Sequence, residues 1–217
     1  MSQEIDLKQI ERKAFLSTYQ DGLWDIFFGL VVVSMAIYMY HPEAGYSARN
    51  IIGFLVGYGV ANLIFWTGKK FITLPRMGQV KFGPIRKKRA LYLAIALGVI
   101  VLINIGLVIL TALGWANPEQ TASLNTFLLE RGWMDIAVAL IGSLLVGTSM
   151  ILMAFFNDFP RGYYIAILAS LAVFLMIWLN QPIFPIILGF LIILPGVVLL
   201  VRFLSKYPLP QQEALNG

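Results

Sequence analysis

The chain has 217 residues, of which 59% are hydrophobic and only 12% charged, and its formal net charge is +5. Such a composition lies far outside the soluble range and leaves little chain for a water-soluble domain. No cysteine is present, which excludes disulfides, thiolate catalysis and cysteine-held metals.

Apolar runs of about 18–25 residues match a hydrocarbon core roughly 30 Å thick. Six qualify, at about 23–40, 50–67, 91–113, 133–156, 163–179 and 185–204. The expected fold is therefore an all-α polytopic membrane protein with six transmembrane helices. Residues 1–22 read as a cytoplasmic or interfacial N-terminal segment. Residues 23–113 form a first three-helix half that includes a basic cytoplasmic loop, 68–90. An outer loop, 114–132, leads to a second three-helix half, 133–207, and a cytoplasmic tail, 208–217.

Glu4, Asp6, Lys8, Glu11, Arg12 and Lys13 mix signs ahead of the first span, so this segment is not a cleavable signal peptide. Leu7, Ile10 and Ala14 fall on one side of a short interfacial helix over 4–20; a solvated lead-in fits the same residues. The first span opens with Asp21, Gly22 and Asp25, the two acids one turn apart with Gly29 following. Gly53, Gly57 and Ala61 make a close-packing stripe on the second span, within the bundle or in a homodimer.

The loop after it holds Lys69, Lys70, Arg76, Lys81, Arg86, Lys87, Lys88 and Arg89 and no acid. Pro75, Gly78, Gly83 and Pro84 punctuate it around Gln79-Val80-Lys81-Phe82, which suggests a small hairpin or ordered turn on the headgroups. Its cations are candidates for anionic lipid headgroups or a cytoplasmic protein partner, and they also set topology. Nucleic acid is not an expected partner, since no recognition helix accompanies the charge.

Asn104 stands some 13 residues into the third span, roughly 20 Å deep at 1.5 Å per residue. It is expected to face protein or water, or to join helices. In the fourth span Asp135, Ala139, Ser143 and Gly147 recur at spacing four. In the sixth, Pro195 lacks an N–H and frees the Leu191 carbonyl, so a mid-membrane kink or break is expected there. Trp24, Trp66, Trp115, Trp133 and Trp178 fall near helix ends, as an aromatic belt would place them.

With the N-terminus inside, fourteen of the sixteen lysines and arginines lie on the cytoplasmic side, and only Arg49 and Arg131 lie outside. The expected location is a prokaryotic cytoplasmic membrane, with the lipid bilayer as surroundings and both termini in the cytoplasm. A shift of 110 residues aligns Gly22, Asp25, Ile26 and Leu30 with Gly132, Asp135, Ile136 and Leu140. A shift of 90 aligns Ile103, Gly106 and Val108 with Ile193, Gly196 and Val198. These matches suggest an inverted-topology 3+3 repeat that mirrors Asp25 and Asp135 across the bilayer.

The leading functional expectation is a transporter or channel for an ion or small solute. Asp21, Asp25, Asn104, Asp135, Ser143 and Pro195 are its pathway candidates. Interfacial acids solvated by headgroup water, or paired with a neighbour such as Arg131, are the structural alternative. The second functional reading is a membrane scaffold or sensor subunit that recruits a partner through the basic loop. Enzyme readings rank lower. His41 is the single histidine, so two-histidine haem or zinc sites are excluded, and no cofactor is expected. Asp21-Gly22 followed by Asp25 resembles the opening of the CDP-alcohol phosphotransferase motif. Its alanine–arginine and paired-aspartate elements are missing downstream, and the resemblance is rejected.

Overall fold

The computed structural model describes residues 19–38, 48–77, 84–116 and 131–208. These residues are helical throughout apart from short turns. In chain order they form α1 (Leu23–Tyr38), α2 (Ala48–Gly68), α3 (Pro84–Ala116), α4 (Arg131–Phe156), α5 (Pro160–Leu179) and α6 (Ile183–Lys206). Five helical segments are long and apolar enough to cross a membrane, namely α2 with its extension and α3 to α6. The first expected span is shorter: α1 has 16 residues, about 24 Å at 1.5 Å per residue.

The basic segment 68–90 departs from its expected form as a loop. The helix of α2 runs on through a π turn, Lys69–Thr73, and a last α turn, Leu74–Met77. The chain is helical again from Pro84. Lysine and arginine are good helix formers, and Pro84 opens α3 at the position where a missing N–H costs nothing. Pro75 lies two residues beyond the π turn, and a proline perturbs the hydrogen-bond ladder over the residues before it. The hairpin expected over 79–82 and the interfacial helix expected over 4–20 lie outside the described residues.

The chain divides into two compact units, one of Met1–Lys87 with Pro182–Gly217 and one of Lys88–Gln181. In the first, α1 packs on both α2 and α6. Gly22 stands against Gly196 and Gly29 against Gly189, so α1 and α6 run antiparallel and meet backbone to backbone twice, seven residues apart. A Cβ on Gly189 would lie 2.8 Å from the Gly29 carbonyl oxygen, and one on Gly196 would lie 2.9 Å from that of Gly22. Lipid tails are as apolar as leucine, so close backbone packing has to supply what the hydrophobic effect supplies in water. Pro185, Gly189, Ile192, Gly196 and Phe203 are the buried face of α6 at the three-and-four spacing of a packed helix.

On the other side of α1 the expected stripe of α2 closes within the unit. A Cβ on Gly53 would meet Ile37 at 2.7 Å, one on Gly57 would meet Ser34 at 2.7 Å, and one on Gly68 would meet Leu23 at 2.8 Å. Ala61 is fully buried in the same row.

In the second unit α4 and α5 pair as an antiparallel hairpin. Asp158 takes the left-handed conformation, φ 50°, and the Phe159 N–H reaches back to the Ala154 carbonyl at 2.8 Å, which closes α4 in a Schellman turn. Pro160 then starts α5. Asn180 ends it at φ 50°, two residues before Pro182. Gly147 of α4 meets Ser170 of α5, and Ala139, Ser143 and Gly147 are buried, so most of the expected spacing-four stripe is an interhelical face. The long α3 is exposed along its span, and Arg89 near its start donates to Asp158 at 2.8 Å.

Candidate functional site

Residues 19–22 form a turn that leads into α1. Gly22 takes φ +74° there, and its carbonyl accepts the first helical bond from Ile26 at 3.1 Å. The turn aims Asp21 inward. Its carboxylate is fully buried, with Oδ1 accepting from the Leu23 N–H at 3.2 Å. Oδ2 accepts from Lys69 Nζ and from Thr73 Oγ1, each at 2.6 Å. Lys69 and Thr73 begin and end the π turn, so spacing four brings an ammonium and a hydroxyl to one oxygen. π turns recur at functional positions in helices. The Lys69 ammonium also lies 5.7 Å from the centre of the Phe65 ring.

One turn along, Asp25 is 2% exposed, with its Cβ against the backbone of Gly196. Ser34 is buried nearer the other end of α1 and donates to the Val31 carbonyl at 2.7 Å. Asn50 is buried at the start of α2. Among the described residues of this unit, the buried polar side chains are Asp21 in the turn before α1, Asp25 and Ser34 on α1, and Asn50 and Thr73 on α2 and its extension. Between Asp25 and Ser34, about 13 Å apart at helical rise, stand the buried apolar residues Phe28, Val31 and Val32.

Trp24 is half-buried at the start of α1. It stacks on Tyr19 at 5.5 Å and on Phe28 at 5.6 Å, and meets Phe65 at 4.5 Å, an aromatic cluster beside the ion pair. Burial of Tyr19 pushes its phenol up to about 12, against the opposing pull of the Arg86 cation. Trp66 and Trp178 are exposed, as a belt requires.

The other candidates are dispersed. Asn104 donates to the Ile100 carbonyl of its own helix at 2.8 Å. An amide in a helix reaches the carbonyl one turn back without any neighbour. Ser143 likewise donates to the Leu140 carbonyl at 2.9 Å. α6 continues as a helix through Pro195, so of the kink or break expected there the break is absent. The glycine contacts at Gly189 and Gly196 hold the helix on α1 on either side of that proline. The side chains of Asp135 and Lys81 lie outside the described residues.

Of the basic candidates, Lys69 is the half-buried partner of the fully buried Asp21, whereas sequence reasoning assigned it to the loop. Arg76 donates to the Ile72 carbonyl at 2.9 Å. Arg86 is partly buried, and Arg89 holds Asp158. Lys70, Lys87 and Lys88 are exposed. Thr73 was missed altogether. Its spacing of four from Lys69 was the available signal, and it is informative only once both residues are known to be helical.

No three His, Asp or Glu side chains gather as a metal site among the described residues. The arrangement is a carboxylate holding one internal cation and one hydroxyl donor, enclosed by apolar and aromatic groups. No protein-family model, curated protein or solved structure matches this chain.

Proposed function

We propose that the protein is a small membrane transporter or channel for an ion or small solute, with Asp21, Lys69 and Thr73 as its cytoplasmic gate. The observation that carries this reading is the Asp21–Lys69 pair, 2.6 Å apart with the carboxylate fully enclosed. Burying two charges costs more than burying apolar groups of the same shape, so such a pair is poor evidence of a stability device. An ionisable residue within a membrane bundle marks an ion or substrate path by default. Asp21 already holds a cation, the Lys69 ammonium, and a proton or small cation competes with it for the same oxygen. When Lys69 swings out towards the leaflet, that site opens. Asp25, Ser34 and Asn50 continue a polar row along α1 and α2, and Phe28, Val31 and Val32 form the closed barrier between them.

Six spans belong to this reading. Residues 22–37 of α1 lie beside 53–68 of α2, and residues 22–29 beside 189–196 of α6, so α1 lies at the depth of two crossing helices. The inverted repeat rests on the sequence register alone and is not required.

Purified protein in liposomes loaded with a pH indicator or a cation indicator tests the proposal. Wild type is expected to pass protons or a monovalent cation above the rate of empty vesicles. Lys69→Met should raise that flux several-fold, and Asp21→Asn should reduce it. Stability gives a second readout. Breaking a buried pair costs about 3–5 kcal/mol, whereas replacing both partners by apolar groups is near neutral. Lys69→Met alone should therefore melt earlier than Asp21→Leu with Lys69→Met. Absence of flux for every ion tried, with the protein folded, overturns transport. It favours the scaffold reading, which the exposed cations Lys70, Lys87 and Lys88 support.

A further inference from the structure

A second feature stands apart from that gate. At the start of α1, Gly68 of α2 meets Leu23 while Gly196 of α6 meets Gly22. Both partner helices therefore pass α1 at the same level and continue beyond it, α2 through Lys69–Met77 and α6 as far as Lys206. These extensions carry Lys70, Arg76, Arg202 and Lys206. The described acids at this end, Asp21 and Asp25, are buried, so among the described residues the outward charge here is wholly positive.

The cations sit where apolar surface gives way to polar. Trp66 is 69% exposed, Phe71 66% and Val201 57%. Lys70 Nζ lies 5.5 Å from the centre of the Phe71 ring, and Lys206 Nζ lies 5.5 Å from that of Tyr207. Rings at the headgroup level with ammonium groups beside them match the polarity gradient of a lipid interface. Nε of Arg76 is buried and has no hydrogen-bond partner among the described residues, so a donor is left over.

We propose that this end of the unit binds anionic phospholipid headgroups of the cytoplasmic leaflet. Lys70, Arg76, Arg202 and Lys206 contact the phosphates, and the acyl chains lie along Trp66, Phe71 and Val201. Two-chain lipid is the occupant rather than free phosphate, because the cations border exposed apolar side chains instead of lining a polar pocket.

Tryptophan quenching tests this in full-length protein reconstituted in phosphatidylcholine with a fixed fraction of brominated lipid. The Trp66 signal is the difference between wild type and Trp66→Phe. Brominated phosphatidylglycerol should quench it at least twofold more than brominated phosphatidylcholine at the same mole fraction, and the excess should shrink as salt is raised. Lys70→Gln with Arg202→Gln and Lys206→Gln should remove most of the excess. Replacing the two lysines by arginine instead, with Arg202 kept, should preserve it and controls for folding. Equal quenching by the two lipids overturns the proposal, as does an excess untouched by the glutamine triple. Loss of the excess on adding inorganic phosphate at constant ionic strength also overturns it, by assigning the site to free anion. Failure of the flux experiment leaves this result unaffected.

Discussion

Gly22 is where one residue decides most. Its left-handed φ of +74° turns the chain so that Asp21 points inward and α1 can begin. It also stands against the Gly196 carbonyl, so a methyl group there collides with backbone that no rotamer change can move. Gly22→Ala combines positive-φ strain with overpacking, about 2–5 kcal/mol together. The expected outcome is a markedly lower melting temperature in detergent, with Gly98→Ala, where a Cβ meets open space, as the near-neutral control. Tyr19 gives a residue-scale test in alkali. Its phenol is held up to about 12 by burial, above the ordinary value of 10.0. The folded state thus keeps a proton that the unfolded chain gives up first. The associated stability is complete below pH 10 and drains away as pH rises towards 12. Ultraviolet difference titration should show a phenol ionising near pH 12 that is lost in Tyr19→Phe.

Among the elements, the α1–α6 pair is the tightest contact. At its two glycine-on-glycine crossings the backbones meet, and Asp25, Ile26, Val33 and Ile193 pack beside them. In the transport proposal these crossings close the seam to solute, and the route follows the α1–α2 side, where Asp21, Ser34, Asn50 and Thr73 lie, while Asp25 stands in the seam against Gly196. Gly189→Val inserts a branched side chain against the Gly29 carbonyl and Val33. Overpacking of this kind costs about 1–3 kcal/mol. The variant should melt earlier and, if the α1–α2 side conducts, should keep its ion selectivity while folded. Loss of selectivity at unchanged stability would place the route in the seam instead.

Over the whole chain, the helix order and the charge asymmetry give one topology to test. The chain has no cysteine of its own, so single introduced cysteines report on one position each. Asn157→Cys and Lys206→Cys should be labelled only from the cytoplasmic side, and Gln181→Cys only from the opposite one. Labelling of Gln181→Cys from the cytoplasm would reverse the assignment. The repeat suggested by the aligned halves finds unequal settings. Gly196 is packed on Gly22 and Asp25, whereas nothing lies within 4 Å of a Cβ on Gly106.

Membrane residence, the helix order and the small-residue stripe of α2 were legible from sequence, because they follow from length, hydropathy and spacing along a single helix. The sequence marked Asp21 and Asp25 by their place at the mouth of an apolar run but left open whether they are enclosed or solvated by headgroup water. The partner of Asp21 was not, since Lys69 stands 48 residues away in a segment whose composition reads as a loop. The bond of Asn104 to its own helix and the unbroken course of α6 through Pro195 were not legible for the same reason. Depth along a helix can be counted from sequence, but the direction a side chain faces depends on which neighbour the helix meets. Only tertiary structure sets α6 against α1, turns Gly196 inward and Pro195 outward, and gathers a carboxylate, an ammonium and a hydroxyl at one oxygen. The physical reason is that hydropathy is a property of each segment, whereas ion pairing and backbone contact are properties of two segments at once.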